Sequence, residues 1–214
     1  MGAIASATAV AFATACSPAS PRRGGPCTTG FLGDASSPDL DFLIVHADNS
    51  VVPLHDGDRV PMIFPPQGGR VIFVGVRATN VDGCAVKLTG ALRDEASRQV
   101  RFDTRTVNLV STGDGWGASV AANASAAGAI ASFANIPACP NQWSTTDVYG
   151  NKYRLEVTVK DRLGHELTKA TEVVPECGEP DRLAECRCIC KAGYVLGESC
   201  ADAGPANADG GGAE

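Results

Sequence analysis

The stretch Tyr153-Arg-Leu-Glu-Val-Thr-Val-Lys160 alternates without a break: Tyr153, Leu155, Val157 and Val159 are apolar, and Arg154, Glu156, Thr158 and Lys160 are polar. A period of two sends successive side chains to opposite faces, so the stretch predicts a strand with one dry and one wet face. Asp161-Arg-Leu-Gly164 supplies a turn. A second extended run, Leu167 to Val174, returns and stops before Pro175. The result is a β-hairpin whose apolar face needs further strands to cover it.

Upstream, short runs of the same kind recur. Phe42–Val45, Val51–Leu54 and Arg59–Phe64 are separated by turns at His55-Asp-Gly-Asp58 and Pro65-Pro-Gln-Gly-Gly69. Val71 to Thr79 is nearly continuously apolar and reads as a strand buried on both faces. Cys84, Val86, Leu88 and Leu92 share one face of the next run, which points Cys84 inward. In Val100 to Val110 the apolar positions change phase between Thr106 and Val107, which predicts a bulge. Trp116 to Ala121 follows the turn Thr112-Gly-Asp-Gly115. The Ala-rich segment Asn123 to Ala134 has no amphipathic stripe and is read as a loop with a short strand around Ile130 to Phe133. Seven to nine short strands, turns about every ten residues and no βαβ alternation specify an all-β, antiparallel sandwich over residues 40–175. With 24 glycines and 13 prolines, the composition suits such a turn-rich chain better than one of long helices.

Of nine cysteines, at 16, 27, 84, 139, 177, 186, 188, 190 and 200, five fall within residues 176–200 or at their edge. Such density points to an oxidising compartment. The formal charge of −6 is concentrated late. Residues 40–175 hold 13 basic and 14 acidic side chains, whereas 176–214 hold 3 and 8. Without a basic stripe, nucleic-acid binding is not expected. Residues 201–214 are low in complexity and read as a disordered tail.

The apolar run before Phe12-Ala-Thr-Ala15-Cys16 resembles the signal peptide of bacterial lipoproteins, although Ala13 stands where that family usually has Leu and no Lys or Arg precedes the run. The resemblance implies removal of residues 1–15, lipid on Cys16 and attachment to the membrane through that lipid. Residues 16–39, rich in Pro, Gly and Ser, then form a flexible tether. With Cys16 lipidated, eight cysteines remain for four disulfides.

Tyr153 to Val174 resembles the last two strands of immunoglobulin-like and fibronectin-like domains, including the Asp-x-x-Gly turn. The usual inter-sheet cysteine is missing from Tyr153 to Val159, and a Cys84–Cys139 bridge is expected as its substitute. Cys188-Ile-Cys190-Lys-Ala-Gly-Tyr194 with Cys200 resembles the second half of an EGF-like module. That resemblance implies a Cys190–Cys200 bond, Cys177 bonded to Cys186 or Cys188, and the remaining tail cysteine bonded to Cys27. Residues 176–200 are accordingly expected to be a small disulfide-rich appendage, separable from the sandwich. The whole plan resembles predicted surface lipoproteins of Gram-negative bacteria. It implies a non-enzymatic protein of the cell envelope, anchored to the outer membrane, that binds a protein or glycan ligand.

Two other readings are a carbohydrate-binding or adhesive module and a secreted hydrolase. Trp116 and Trp143 on one open face would favour sugar binding. A hydrolase needs a converging acid, base and nucleophile, and no Gly-x-Ser-x-Gly elbow is present. His46, His55 and His165 have no metal-ligand spacing. Cys186-x-Cys188-x-Cys190 lacks a companion histidine, and in an oxidising compartment disulfides are favoured over a soft metal. Asp48, Asn49, Asp56 and Asp58 read as turn residues rather than calcium ligands. Asn123-Ala-Ser125 matches a glycosylation sequon that a bacterial protein is not expected to use. No cofactor is expected.

Overall fold

The computed structural model describes residues 27–34 and 36–200. The expected signal peptide 1–15, the expected lipidation site Cys16, the first part of the expected tether and the expected tail 201–214 lie outside the described residues. The elements run β1 (Asp39–Val45), β2 (Val51–Leu54), β3 (Asp58–Met62), β4 (Arg70–Thr79), β5 (Val86–Arg93), β6 (Val100–Val107), β7 (Val110–Ser111), β8 (Trp116–Ala118), β9 (Ala134–Cys139), β10 (Tyr153–Lys160), β11 (Glu166–Cys177) and α1 (Leu183–Cys190). One sheet has the order β2-β1-β4-β8-β7, with β9 also on β4. The other has the order β3-β11-β10-β5-β6. Strands pair antiparallel except β3 with β11. The fold is an all-β sandwich with a disulfide-rich C-terminal segment.

The opening hairpin forms as its alternation dictates. Tyr153, Leu155, Val157 and Val159 are buried, and β10 pairs with β11 over its whole length. Facing them across the core are Ile72, Val74, Val76 and Ala78 of β4. The other face of β4 is covered too: Phe73 joins Val45, Val120, Ala126 and Phe133 in a second cluster beneath the 119–133 loop. Residue 75 must be glycine there, because a Cβ would stand 2.7 Å from the Phe133 ring.

Four expectations need correction. First, β6 has no bulge. Its register with β5 is continuous from Arg93↔Val100 to Val86↔Val107. The period of two holds throughout, but Val100 and Phe102 face solvent while Arg101, Asp103 and Arg105 face inward. The inward charges are tolerated because each finds a partner. Arg101 Nη2 donates to Asn141 Oδ1 at 2.6 Å, Arg105 Nε donates to Asp103 at 2.6 Å, and Asp103 also accepts the Asn135 N–H. Second, Ile130–Ser132 is a 3-10 turn, and the strand starts at Ala134. The small residue Ala134, with Ile136, lets β9 lie directly on Gly90 of β5.

Third, residues 27–34 are not a free tether. Cys27 bonds to Cys84, Leu32 donates its N–H to Val81 O, Gly83 donates to Gly30 O, and the Leu32 side chain is buried. Fourth, the C-terminal segment is no separate appendage. Cys186 and Cys190 belong to the main core cluster, and the Arg70 guanidinium, fully buried, donates to Arg182 O and to Glu185. Arg70 also lies within 3.4 Å of Glu179 and 5.0 Å from the Phe64 ring.

The Asp161-x-x-Gly164 turn is held by its first residue. The Asp161 carboxylate accepts the N–H groups of Asp82, Leu163 and His165 and contacts His165 Nδ1 at 2.8 Å. Burial pushes this carboxyl up, but these hydrogen bonds outweigh it and hold the group below the ordinary carboxylate value. A lowered folded value stabilises the protein above the unfolded value, about 3.9, and that contribution is lost as pH falls through the folded one. The stability difference between wild type and Asp161→Asn, followed by urea midpoint, is therefore expected to be large at neutral pH and to narrow steadily below about pH 4. A constant difference would show that the carboxylate charge is not what holds the turn.

Candidate functional site

Four disulfides fix the loops at the two ends of the sandwich: Cys27–Cys84, Cys139–Cys190, Cys177–Cys186 and Cys188–Cys200. The Cys84–Cys139 bond expected from the immunoglobulin resemblance does not form. Cys139 pairs with Arg70 at one end of β4, and Cys84 follows the other end at Thr79. The ten residues of β4 separate them by roughly 30 Å, far beyond disulfide reach. Nor does Cys190 bond to Cys200. Residues Leu183–Cys190 are helical, so Cys186 and Cys190, four apart, share the buried face, where Cys190 meets Cys139 and Met62. Cys188 lies on the opposite side of the helix and takes Cys200. Of the two partners left open for Cys177, the structure selects Cys186. The spacing Cys186-x-x-x-Cys190 carried the signal for this arrangement.

At the Cys139 end, two loops are braced against each other. Gly193 N–H donates to Ser144 O at 3.1 Å, Tyr194 N–H to Asn141 O at 3.0 Å, and Ala192 N–H to the Asp147 carboxylate at 2.7 Å. The fully buried Asn141 completes the brace. Its side chain accepts from Arg101 and donates to Thr146 O and Cys190 O. On these fixed loops stand Trp143, Val195 and Leu196, exposed by 77%, 67% and 73%. Rigid loops that display large apolar side chains are the usual position of a binding surface.

Beside this tip is an open polar cleft of about 500 Å³ whose lining includes Asp56, Asp94, Thr146, Lys152, Arg154 and Glu172. Several of its charged groups are already engaged. Lys152 pairs with Glu172 at 2.8 Å, and Asp56 accepts from Thr171 and from Glu172 N–H. Burial raises the Asp94 carboxyl, yet hydrogen bonds from Ser144 and Ser97 bring it below its ordinary value. An anion so bound is a poor proton acceptor.

The other singled-out residues are dispersed. Trp116 lies on β8 against Thr79, with Arg77 4.4 Å from its ring, whereas Trp143 follows β9 at the Arg70 end. The length of β4 lies between them, so they do not share a platform. His46 and His55 sit in separate turns, Asp48 caps Ser50 N–H, and His165 is tied to Asp161. Among the described residues no three His, Cys, Asp or Glu side chains are placed to hold a metal ion, and no helix is long and apolar enough to cross a membrane. Comparisons with family models, with curated proteins and with solved structures find no match.

Proposed function

We propose that this chain is a non-enzymatic, lipid-anchored module of the bacterial cell envelope that binds a protein partner through the Trp143–Val195–Leu196 tip. The observation that carries the reading is the exposure of these three side chains on loops fixed by Cys139–Cys190 and Cys188–Cys200. Apolar anchors on a preorganised frame lose little entropy on binding. Aliphatic Val195 and Leu196 beside one indole suit a protein surface. A glycan site is better served by several aromatic faces, and here Trp116 lies at the far end of the molecule. Lipid on Cys16 would anchor the N-terminal segment, which the Cys27–Cys84 bond pins beside β5.

The immunoglobulin-like reading of the sandwich has support of its own. β5, β10 and β11 neighbour one another in the order of strands C, F and G, and the Tyr153 hydroxyl, at the start of β10, donates to Asp147 O at 3.2 Å. A tyrosine at this corner bonding back to the upstream backbone is a hallmark of such domains.

The test uses full-length secreted protein carrying Cys16→Ser, titrated onto envelope fragments of the Gram-negative host. Binding is expected to be saturable, sensitive to protease treatment of the fragments, and weakened about thirtyfold by Trp143→Ser, an anchor loss of roughly 2 kcal/mol. Binding unchanged by Trp143→Ser would overturn the proposed tip, and binding abolished by glycosidase instead of protease would favour the carbohydrate reading. For the anchor, unsubstituted protein should partition into detergent and Cys16→Ser should not.

A further inference from the structure

Exposed sheet edges are templates for another strand, and monomeric proteins blunt them with proline, bulges or short length. Most edges of this sandwich are treated so. Edge strands β2, β3 and β9 carry Pro53, Pro61 and Pro137, and β7 has only two residues. β6 has none of these three features; what protects it is the inward-facing set Arg101, Asp103 and Arg105. It runs eight residues with no proline, no glycine and an unbroken register, and it presents Phe102 at 62% exposure and Val100 at 41%.

The direction of its free hydrogen-bonding groups follows from the hairpin. Asp94 N–H bonds to Gln99 O at the base of the β5–β6 turn. Narrow and wide pairs alternate along an antiparallel ladder. Arg101, Asp103 and Arg105 therefore turn their backbone groups towards β5, and Phe102, Thr104 and Thr106 turn theirs to the open edge.

We propose that β6 pairs antiparallel with β6 of a second copy of this chain, on a two-fold axis through Thr104, so that the two five-stranded sheets become one. In this register Phe102 lies opposite Thr106 of the second copy, and Thr104 opposite Thr104. The closely spaced wide pairs between them set Asp103 against Arg105, twice by symmetry, so opposite charges meet at both positions. Centring the axis on Asp103 instead would oppose Asp103 to Asp103 and Arg101 to Arg105, which disfavours it. The solvent face agrees with the chosen register. Thr168, Thr158, Thr89 and Thr104 form one row across β11, β10, β5 and β6, with hydroxyl contacts of 2.8 Å between Thr158 and Thr168 and 2.9 Å between Thr89 and Thr104. Pairing at Thr104 extends that row without a step into the second copy. An axis on Phe102 would also oppose unlike charges, Arg101 and Asp103, but Arg101 is buried on Asn141 and the threonine row would be broken. Complementary charge together with continuity of this row makes a second copy the occupant, in preference to an unrelated strand. The pairing is independent of the Trp143 tip, which projects from the loops after β9.

Sedimentation equilibrium on the full chain carrying Cys16→Ser tests it. A concentration-dependent dimer is expected. Thr104→Pro removes an N–H that points to the open edge and one exposed hydroxyl contact with Thr89, so it should leave the melting transition in place and weaken the dimer about tenfold or more. If that variant does not fold, cross-linking decides. Opposed residues of a narrow pair have Cα atoms about 5.5 Å apart, within disulfide range. Thr104→Cys is thus expected to give a covalent dimer on a non-reducing gel. Phe102→Cys alone should not, since the two copies of residue 102 would stand about 13 Å apart along the strands, whereas a mixture of Phe102→Cys and Thr106→Cys should. A monomer at every concentration overturns the proposal and leaves the edge to a strand of another protein. A dimer that survives Thr104→Pro, or a self-cross-link at residue 102, overturns the interface or its register.

Discussion

Deleting residues 179–214, with Cys139→Ala and Cys177→Ala to remove the orphaned thiols, is expected to abolish the cooperative unfolding transition. The deletion removes the Cys139–Cys190 bond, which closes a 51-residue separation, and such a bond contributes about 2–4 kcal/mol. It also removes Glu179, Glu185 and the Arg182 carbonyl from Arg70, whose side chain has no exposed surface. Burial already pulls the Arg70 guanidinium below its ordinary value, and a buried charge stripped of its partners costs about 3–5 kcal/mol. The helical cover of Met62 and of the Tyr149–Val148 region goes with it. Together these losses approach the net stability of an ordinary domain, about 5–15 kcal/mol. Far-ultraviolet circular dichroism against urea measures the outcome. A sigmoidal transition near that of the full chain would show that the sandwich stands without its C-terminal segment.

The sequence expectation was the opposite, and the reason lies in what each kind of residue reveals. The β10–β11 hairpin and β4 were legible because their burial is apolar: Tyr153, Leu155, Val157 and Val159 alternate, and Val71 to Val76 is nearly continuous. Period alone located them. β6 has the same period, but its change of apolar phase is no bulge: Val100 and Phe102 face solvent while Val107 faces inward in one continuous register. The core at this edge instead takes Arg101, whose partner Asn141 lies forty residues away and cannot be found from local pattern. β9 escapes the pattern because Ala134 and Ala138 are too small to register as a strand face, and Ala134 lies directly against Gly90. The cysteines showed only that bridges exist. Which ones form depends on whether 183–190 is helix or hairpin, and the four-residue spacing of Cys186 and Cys190 outweighed the likeness to an EGF-like half-module. The tip was half legible: Trp143 could be singled out, but its neighbours Val195 and Leu196 come beside it only through the brace at Ser144 and Asn141.

Asn141→Leu is expected to be among the most damaging single substitutions, and more so than Asn141→Leu combined with Arg101→Met. Asn141 is fully buried and spends both ends of its amide: Oδ1 on Arg101, Nδ2 on Thr146 O and Cys190 O. Leucine keeps the volume and removes every one of these bonds. Cys190 O retains the Val148 N–H, so the carbonyl is not stranded. Arg101 is. It is 6% exposed, burial has already drawn its guanidinium below the ordinary value, and Nη1 has no hydrogen-bond partner even in the intact protein. Loss of Nη2's acceptor leaves a buried charge supported only by the more distant Asp94 and Tyr153, at a cost of about 3–5 kcal/mol. Replacing both partners by apolar groups of similar size removes the charge along with its bond, and such paired replacements are often close to neutral. The double variant should therefore recover most of the loss, giving a coupling of about 2 kcal/mol or more in a double-mutant cycle read from urea unfolding. Costs that simply add would mean that Asn141 acts through its loop carbonyls alone and that Arg101 finds another acceptor when the loop relaxes.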